Sequence, residues 1–490
     1  MIPPPRRCAL DLHRAPGGTL AGRGAMSFVG LAAQGLIRLA VSIVVGRLAG
    51  SATLGLVAAG LATAQLLILF GPTTSGAAAS RFLARARGRA DTAELDAVAR
   101  HLAHRVHLAT LVLAVIAVPF SLARGVSPTG AVCIGALVVG LSGQQFTRGV
   151  HYGVGAIRRV VTLDVAFSLA GLLGVVTALF LGVRGEMLLL PLALAYVLLS
   201  CACWPLTPRQ AVPPTLAREI DRFVLFGSLG TIASAGLVHL SILVAGRLGP
   251  DATGYYAAAS NLATPLTLAS GALSLVLYPS LSESVGRGDL DAVAHHLDVA
   301  VRGLAALVTP VALGLVLLAD PLIRVVYGTR FVTLPDGAAA PAPDILAVLV
   351  IAILTAMIAV PCVNALTSVD ENGIVRMAFA SLTGLAVAAA VWWSTAALHD
   401  VRTVAIGYLC GAGTIAAYAI VRAAQRWRGR WARPLSAAVV VVVAAGVVRV
   451  EVPDLTTRVL AAAALTLVAA AATVPEWRLI ARAVAGAGRG

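Results

Sequence analysis

The sequence predicts an all-α polytopic membrane protein of about fourteen transmembrane helices. Two parallel six-helix repeats form two bundles, and two further helices lie toward the C-terminal end. Three observations lead there. Of 490 residues, 59% are hydrophobic and only 12% charged, about half the charged fraction of a soluble chain. From near residue 27 onward, apolar stretches long enough to cross a bilayer alternate with short arginine-rich breaks. An octapeptide also occurs twice, as LDAVARHL at 95–102 and LDAVAHHL at 290–297. Lipid offers no partner to backbone N–H and C=O groups, so each crossing is expected to be helical. The alternating ten-residue segments of a membrane β-barrel are not seen.

Taken in order, a tail at 1–26 contains Arg6, Arg7, Arg14 and Arg23 but no apolar core of a cleavable signal. The first span, 27–48, is therefore expected to act as an uncleaved anchor. Spans near 54–79, 106–123, 130–150, 161–182 and 187–206 complete a first bundle over 27–206. A linker at 207–222 leads to a second bundle over 223–422, with spans near 223–246, 254–280, 303–319, 344–366, 374–397 and 402–421. Two extra helices follow within 434–476, near 435–449 and 459–474, the former being short.

Arginine sets the orientation. If the N-terminus is cytoplasmic, alternate breaks on that side hold 27 of the 37 basic residues and the opposite breaks hold nine. Arg38 is left inside the first span. Both termini are thus expected on the cytoplasmic side. The net charge of +15 is what positive-inside loops produce, and it needs no nucleic-acid partner.

Every basic residue is arginine, and the absence of lysine excludes a P-loop ATPase and Schiff-base chemistry. The six cysteines, at 8, 133, 201, 203, 362 and 410, have no metal-ligand spacing and read as small buried hydrophobes. GAGTIA at 411–416 has a dinucleotide-like spacing but sits inside an apolar span with no strand before it. GYLCG at 407–411 is a close-packing pattern. No metal, cofactor or catalytic residue is expected.

The octapeptide is one landmark of a longer repeat. SIVVGRLAGSATLG (42–55) corresponds to SILVAGRLGPDATG (241–254), LAT at 61–63 to LAT at 262–264, and Pro119 to Pro310. Six spans per unit is an even number, so the units enter from the same side, as parallel repeats do. Leu95, Val98 and Leu102, like Leu290, Val293 and Leu297, fall on one helical face. Each octapeptide reads as an amphipathic connecting helix along the cytoplasmic surface. Two facing six-span bundles are a transporter plan, with substrate near the midplane between them.

Three further stretches, AGRLGPDATGYYAAASNLATP (245–265), YPSLSESVGRGDLDAVAHHL (278–297) and LADPLIRVVYGTRF (318–331), resemble bacterial flippases for lipid-linked sugars. Those proteins, with lipid II flippases and multidrug antiporters, form the multidrug/oligosaccharidyl-lipid/polysaccharide exporter superfamily. The likeness is strongest over about 240–335 and weaker over 42–105, where SGAAASRFLAR (75–85) departs from the second copy. It implies alternating access: two halves rock while the headgroup of an undecaprenyl-pyrophosphate-linked sugar rides in a cavity and its tail stays in lipid. It implies a lipid-linked sugar substrate, the lipid bilayer and polysaccharide polymerase or glycosyltransferase machinery as partners, and the bacterial plasma (inner) membrane as location.

Charge within the bilayer marks function. Arg38 lies nine residues before Arg47 at the outer end of its span, roughly 13 Å deep at 1.5 Å per residue. His239 lies eight residues before Arg247, so the repeat sets the two at similar depth, one from each bundle. An anionic pyrophosphate suits that pair, Arg binding it bidentately and His adding charge when protonated. Each also has a structural reading: Arg38 paired with helix carbonyls or a polar neighbour, His239 hydrogen-bonded across helices. Gln34, one turn before Arg38, is expected on the same cavity wall. Gln65, Asn261 and Asn364 are mid-span amides open to either role. Asp164 is expected at a solvated interface, and Arg47 and Arg247 are expected to snorkel.

The function expected is an alternating-access flippase moving a lipid-linked oligosaccharide or cell-wall precursor from the cytoplasmic to the outer leaflet. One alternative is a cation-coupled multidrug exporter, which would want intramembrane carboxylates. A membrane-embedded glycosyltransferase or ligase is the other, and it would want a carboxylate base or metal site on a sizeable outer loop; the longest, about 320–343, holds Asp320 and Asp336 but little else.

Overall fold

A computed structural model describes residues 20–205, 211–286, 289–333, 340–369, 371–429, 431–452 and 454–472. Asp336, Cys8, most of the N-terminal tail, part of the 207–222 linker and the arginines beyond residue 472 lie outside them. The described chain is helical, with no strand among the described residues. It divides into two compact units, Met1–Gly246 and Arg247–Gly490.

The first unit contains α1 (Leu20–Ile68), α2 (Pro72–Gly88), α3 (Thr92–Leu122), α4 (Pro128–Val154), α5 (Ile157–Phe180), α6 (Leu189–Cys203), α7 (Pro214–Ser234) and α8 (Gly236–Ala245). The second contains α9 (Pro250–Gly286), α10 (Leu290–Leu317), α11 (Ala319–Tyr327), α12 (Ala342–Val369), α13 (Glu371–Ser394), α14 (Val401–Trp427), α15 (Ala432–Glu451) and α16 (Leu455–Ala472).

All fourteen expected spans fall on these helices. By length and hydropathy, ten helices among the described residues could cross a bilayer, or eleven when α7 and α8, bent by 44°, count as one broken span. Of the three spans left over, one is the second that α1 carries, since the ten count α1 as a single helix; the others are the long α9 and the short α16. The halves of α1 part at Gly50, whose φ of 85° breaks the helix in a region that favours glycine. Span 2 is interrupted again at Gly71, before Pro72 opens α2. Pro has no N–H to donate, so the first turn of a helix is the natural place for it.

The octapeptides do not form separate surface helices. Each is the start of a long helix that continues into a span, α3 in the first unit and α10 in the second. An aspartate caps each start: Asp91 accepts the Glu94 N–H at 2.9 Å and Asp289 accepts the Ala292 N–H at 2.8 Å. Nothing between the octapeptide and the span breaks the helix. The apolar face of Leu95, Val98 and Leu102 is buried against Phe82, Phe146 and Ile220, so protein rather than lipid covers it. Val293 and Leu297 are buried too, while Leu290 is exposed.

The structure also gives the repeated helices a shared task. In the first unit, His101 Nε2 lies 3.0 Å from Asp221 Oδ1 and Arg105 donates to the same carboxylate at 2.5 Å. Arg85 donates to both oxygens of Glu219, at 2.9 and 3.2 Å. Asp221 and Glu219 belong to α7, the first helix after the six-span repeat. In the second unit, Trp431 Nε1 donates to Asp298 at 2.9 Å, just before α15, again the first helix after six spans. Each octapeptide helix therefore anchors the chain as it leaves its repeat.

The far end of the second unit is fastened by ion pairs. Arg449 on α15 donates to Asp344 on α12 at 2.6 Å and lies 3.3 Å from Asp320 on α11. Arg458 on α16 reaches Asp320 at 2.6 Å, and Arg402 on α14 reaches Asp344 at 2.7 Å. This lattice joins the two extra helices to the six-span repeat. Removing one partner of a buried ion pair costs about 3–5 kcal/mol, and less where the carboxylates are partly exposed. Arg449→Ala is expected to cost about 2 kcal/mol on that scale, read as a lowered melting temperature in detergent. An Asp344→Ala background should shrink the effect of that substitution.

Candidate functional site

The site is built on α4, the helix around which the first unit packs. Its small residues let neighbours approach closely. A Cβ at Gly149 would meet the Gly76 carbonyl oxygen of α2 at 2.0 Å, and one at Gly143 would meet Ser200 Oγ of α6 at 2.5 Å. With two faces taken by α2 and α6, a third carries Gln144, Arg148 and Tyr152 at four-residue spacing. That stripe meets α1 and α5.

The polar contacts there are specific. Arg148 Nη1 donates to Gln34 Oε1 of α1 at 3.0 Å, and Arg148 Nε donates to Tyr152 OH at 3.3 Å. Gln144 Nε2 donates to Asp164 Oδ1 of α5 at 2.6 Å. Arg148 and Arg38 both lie within electrostatic reach of the Asp164 carboxylate. Asp164 is therefore not the solvated interface residue expected from its position near the start of span 5. It is only 5% exposed, and the two arginines offset its charge.

Arg38 shares a face of α1 with Gln34, Val41, Ser42 and Val45. Those four are buried, while Arg38 is exposed. Leu36, at 57% exposure, marks the opposite face. Arg38 is thus accessible on the side of α1 that turns toward the unit's own helices, the side on which intramembrane charges are normally found.

His239 sits on α8, just past the break at Ala235. It is half-buried, its Nδ1 is buried without a hydrogen-bond partner, and Arg38 lies within electrostatic reach. α8 packs on α1, with Gly236 against Leu66 and Leu69. Arg38 and His239 therefore do come together, but inside the unit Met1–Gly246 rather than one from each of two units. Gln65 is half-buried on the second half of α1.

Asn261 on α9 and Asn364 on α12 are half-buried in the second unit. Arg47 and Arg247 are exposed, as expected of residues at span ends.

Further buried polar atoms have no protein partner: Gln34 Nε2, Gln144 Oε1 and Ser168 Oγ, the last one turn beyond Asp164. Buried polar groups are normally satisfied. Two guanidiniums and carboxamide groups thus converge near one buried carboxylate, and His239 lies within reach of Arg38. Such a constellation can hold an anion rich in acceptor oxygens, with arginine forks supplying parallel donors. No group of His, Cys, Asp and Glu among the described residues could hold a metal ion.

Sequence reasoning did not single out Gln144 or Arg148, and it placed Asp164 at a solvated interface. Arg148 lies near the expected end of span 4, at about residue 150, whereas α4 runs to Val154. The four-residue spacing of Gln144, Arg148 and Tyr152 is the signal that places them on one helical face.

Comparisons with known proteins agree with this architecture. Residues 141–334, less than half of the chain, match the family described as polysaccharide biosynthesis protein. That stretch includes Arg148, Asp164 and His239. No curated protein matches the sequence. Among solved structures, the lipid II flippase MurJ in an inward closed conformation superposes with a TM-score of 0.68 at 11% identity, over 91% of this chain and 98% of that one. An inward-facing multidrug resistance MATE family transporter of the MOP superfamily gives 0.63 at 16% identity, over 81% of this chain and 94% of that one. A MOP superfamily transporter from Pyrococcus furiosus, whose binding pocket is described as having reverse polarity, gives 0.57 at 16% identity, over 86% and 97%. The chain is a multi-pass membrane protein with the fold of the MOP superfamily of transporters and flippases.

Proposed function

We propose that this protein is an alternating-access flippase that moves an undecaprenyl-pyrophosphate-linked oligosaccharide or cell-wall precursor from the cytoplasmic to the outer leaflet. The observation that carries this reading is the pair of arginines, Arg38 and Arg148, in the membrane-spanning part of the first unit. A diphosphate linkage offers the oxygens their forks require. The match to a polysaccharide biosynthesis family and the fold shared with a lipid II flippase support the same substrate class. His239 and Gln34 complete the polar wall, and Gln65, Asn261 and Asn364 are assigned to the substrate path. The location proposed is the bacterial inner membrane, with both termini cytoplasmic, as the arginine asymmetry implies.

A cation-coupled multidrug exporter would use Asp164, a buried carboxylate within a span. Two arginines lie within electrostatic reach of that carboxylate, and their positive charge disfavours a cation there. A glycosyltransferase would use Asp320, but that carboxylate holds Arg449 and Arg458. Translocation without covalent change therefore fits the described side chains best.

The test is binding of undecaprenyl-pyrophosphate-linked glycans to purified protein by native mass spectrometry, with Arg38→Ala alongside. Binding by the wild type that the variant loses is the expected result. No binding by the wild type, with cationic dyes expelled from vesicles under a proton gradient, would overturn it.

A further inference from the structure

The second unit carries a basic cavity that the transport reading does not use. It lies where α12 passes into α13 and where α14 ends. Its volume is about 220 Å3, against the roughly 10–15 Å3 that one water requires. Tyr418, Arg422 and Arg426 line it at four-residue spacing along α14. Arg376 faces them from α13, and Leu366 and Met377 supply an apolar floor.

The balance of charge is positive. No carboxylate is among the described residues that line the cavity. Arg422 Nη1 donates to neutral Gln425 at 3.3 Å, and the Arg426 guanidinium lies over the Trp427 ring at 5.4 Å. Asp370 and Glu371 follow α12 in sequence, their side chains outside the described residues. Even with both at hand, two carboxylates against three guanidiniums leave the site cationic. Arg428 and Arg433 follow α14 in sequence, part of the arginine-rich break expected on the cytoplasmic side.

The outer surface beside the cavity is apolar. Ile374, Val375 and Phe379 of α13 and Val421 of α14 are exposed. Cationic forks within reach of lipid-facing side chains are what a lipid with an anionic head requires. Basic pockets between membrane helices on the positive side bind such headgroups.

We propose that this cavity binds the phosphodiester headgroup of an anionic phospholipid from the leaflet on the arginine-rich face. Its acyl chains lie along Val375, Phe379 and Val421. The forks of Arg422 and Arg426 grip the phosphate oxygens, and Tyr418 adds a hydroxyl donor. The proposal does not depend on the flippase reading, since the site is distinct from the Arg38–Arg148 cluster.

The experiment is native mass spectrometry of the full chain released from detergent with phosphatidylglycerol or phosphatidylcholine. The wild type is expected to retain one phosphatidylglycerol and no phosphatidylcholine at equal lipid concentration. Arg422→Gln with Arg426→Gln should cut retention at least tenfold, on the order expected when charged hydrogen bonds are lost. Arg422→Lys with Arg426→Lys keeps the charge without the forks and should fall between the two. It also serves as the variant to read if the glutamine pair unfolds, which the melting temperature in phosphatidylcholine nanodiscs reports. Equal phosphatidylglycerol retention by the wild type and the glutamine pair overturns the proposal. Displacement by millimolar inorganic phosphate overturns it as well, because the site would then recognise a free anion.

Discussion

Replacing Arg148 by glutamine is expected to lower affinity for an undecaprenyl-pyrophosphate-linked glycan by about 10- to 100-fold, because a hydrogen bond to a charged group contributes about 1.5–3 kcal/mol. The side chain now donates to Gln34 and Tyr152 and helps to offset Asp164. Glutamine keeps some hydrogen bonding but loses the fork and the charge. Arg148→Lys separates the two: affinity restored to near wild type would mean that charge alone matters, and continued loss would assign the effect to bidentate geometry. Replacing Arg38 and Arg148 together should leave no measurable binding. Binding by that double variant equal to wild type would remove the cluster from the substrate path. Thermal stability is the control, since Arg148→Gln leaves a buried carboxylate with one arginine fewer.

Gly149→Ala is expected to be the most damaging small substitution in the first unit. The added carbon would sit 2.0 Å from the Gly76 carbonyl oxygen, so backbone and not a pliable side chain stands in the way. Overpacking of this kind commonly costs about 1–3 kcal/mol, and here α2 and α4 must separate to relieve it. Moving α4 also carries Gln144 and Arg148 away from α5 and α1. The variant should therefore lose both melting temperature and glycan binding. Gly446→Ala on α15, where nothing lies within 4 Å of the added carbon, should change neither. A Gly149→Ala protein as stable as wild type would show that the α2–α4 crossing is looser than described.

Much of the fold was legible because the solvent is lipid. Twenty-residue apolar stretches, arginine breaks and a repeated octapeptide with its flanking landmarks have direct physical readings, and the expected spans fall on helices, with spans 2 and 7 each broken between two. The octapeptides themselves were half legible. Their apolar periodicity marks a buried face, but periodicity does not tell burial in protein from burial in a membrane surface. It took Phe82, Phe146 and Ile220 packed against Leu95, Val98 and Leu102 to decide between them. The aspartate caps at Asp91 and Asp289 are legible only once the helix start is known.

The candidate site divides along similar lines. Arg38 stands out in the sequence because a charge deep in an apolar span is costly, and His239 follows from the repeat. Arg148 and Asp164 do not stand out, since each lies near the expected end of a span, where charge is cheap. The sequence by itself determined the class of protein, the succession of spans and the presence of an intramembrane cation, all properties of one helix and its solvent. Only the tertiary structure decided that Arg148 bonds Gln34, that Gln144 bonds Asp164, that α8 sets His239 beside α1, and that Asp320 serves ion pairs instead of standing free. Those depend on which helical faces meet, and hydropathy is silent about the partner a buried polar group will find.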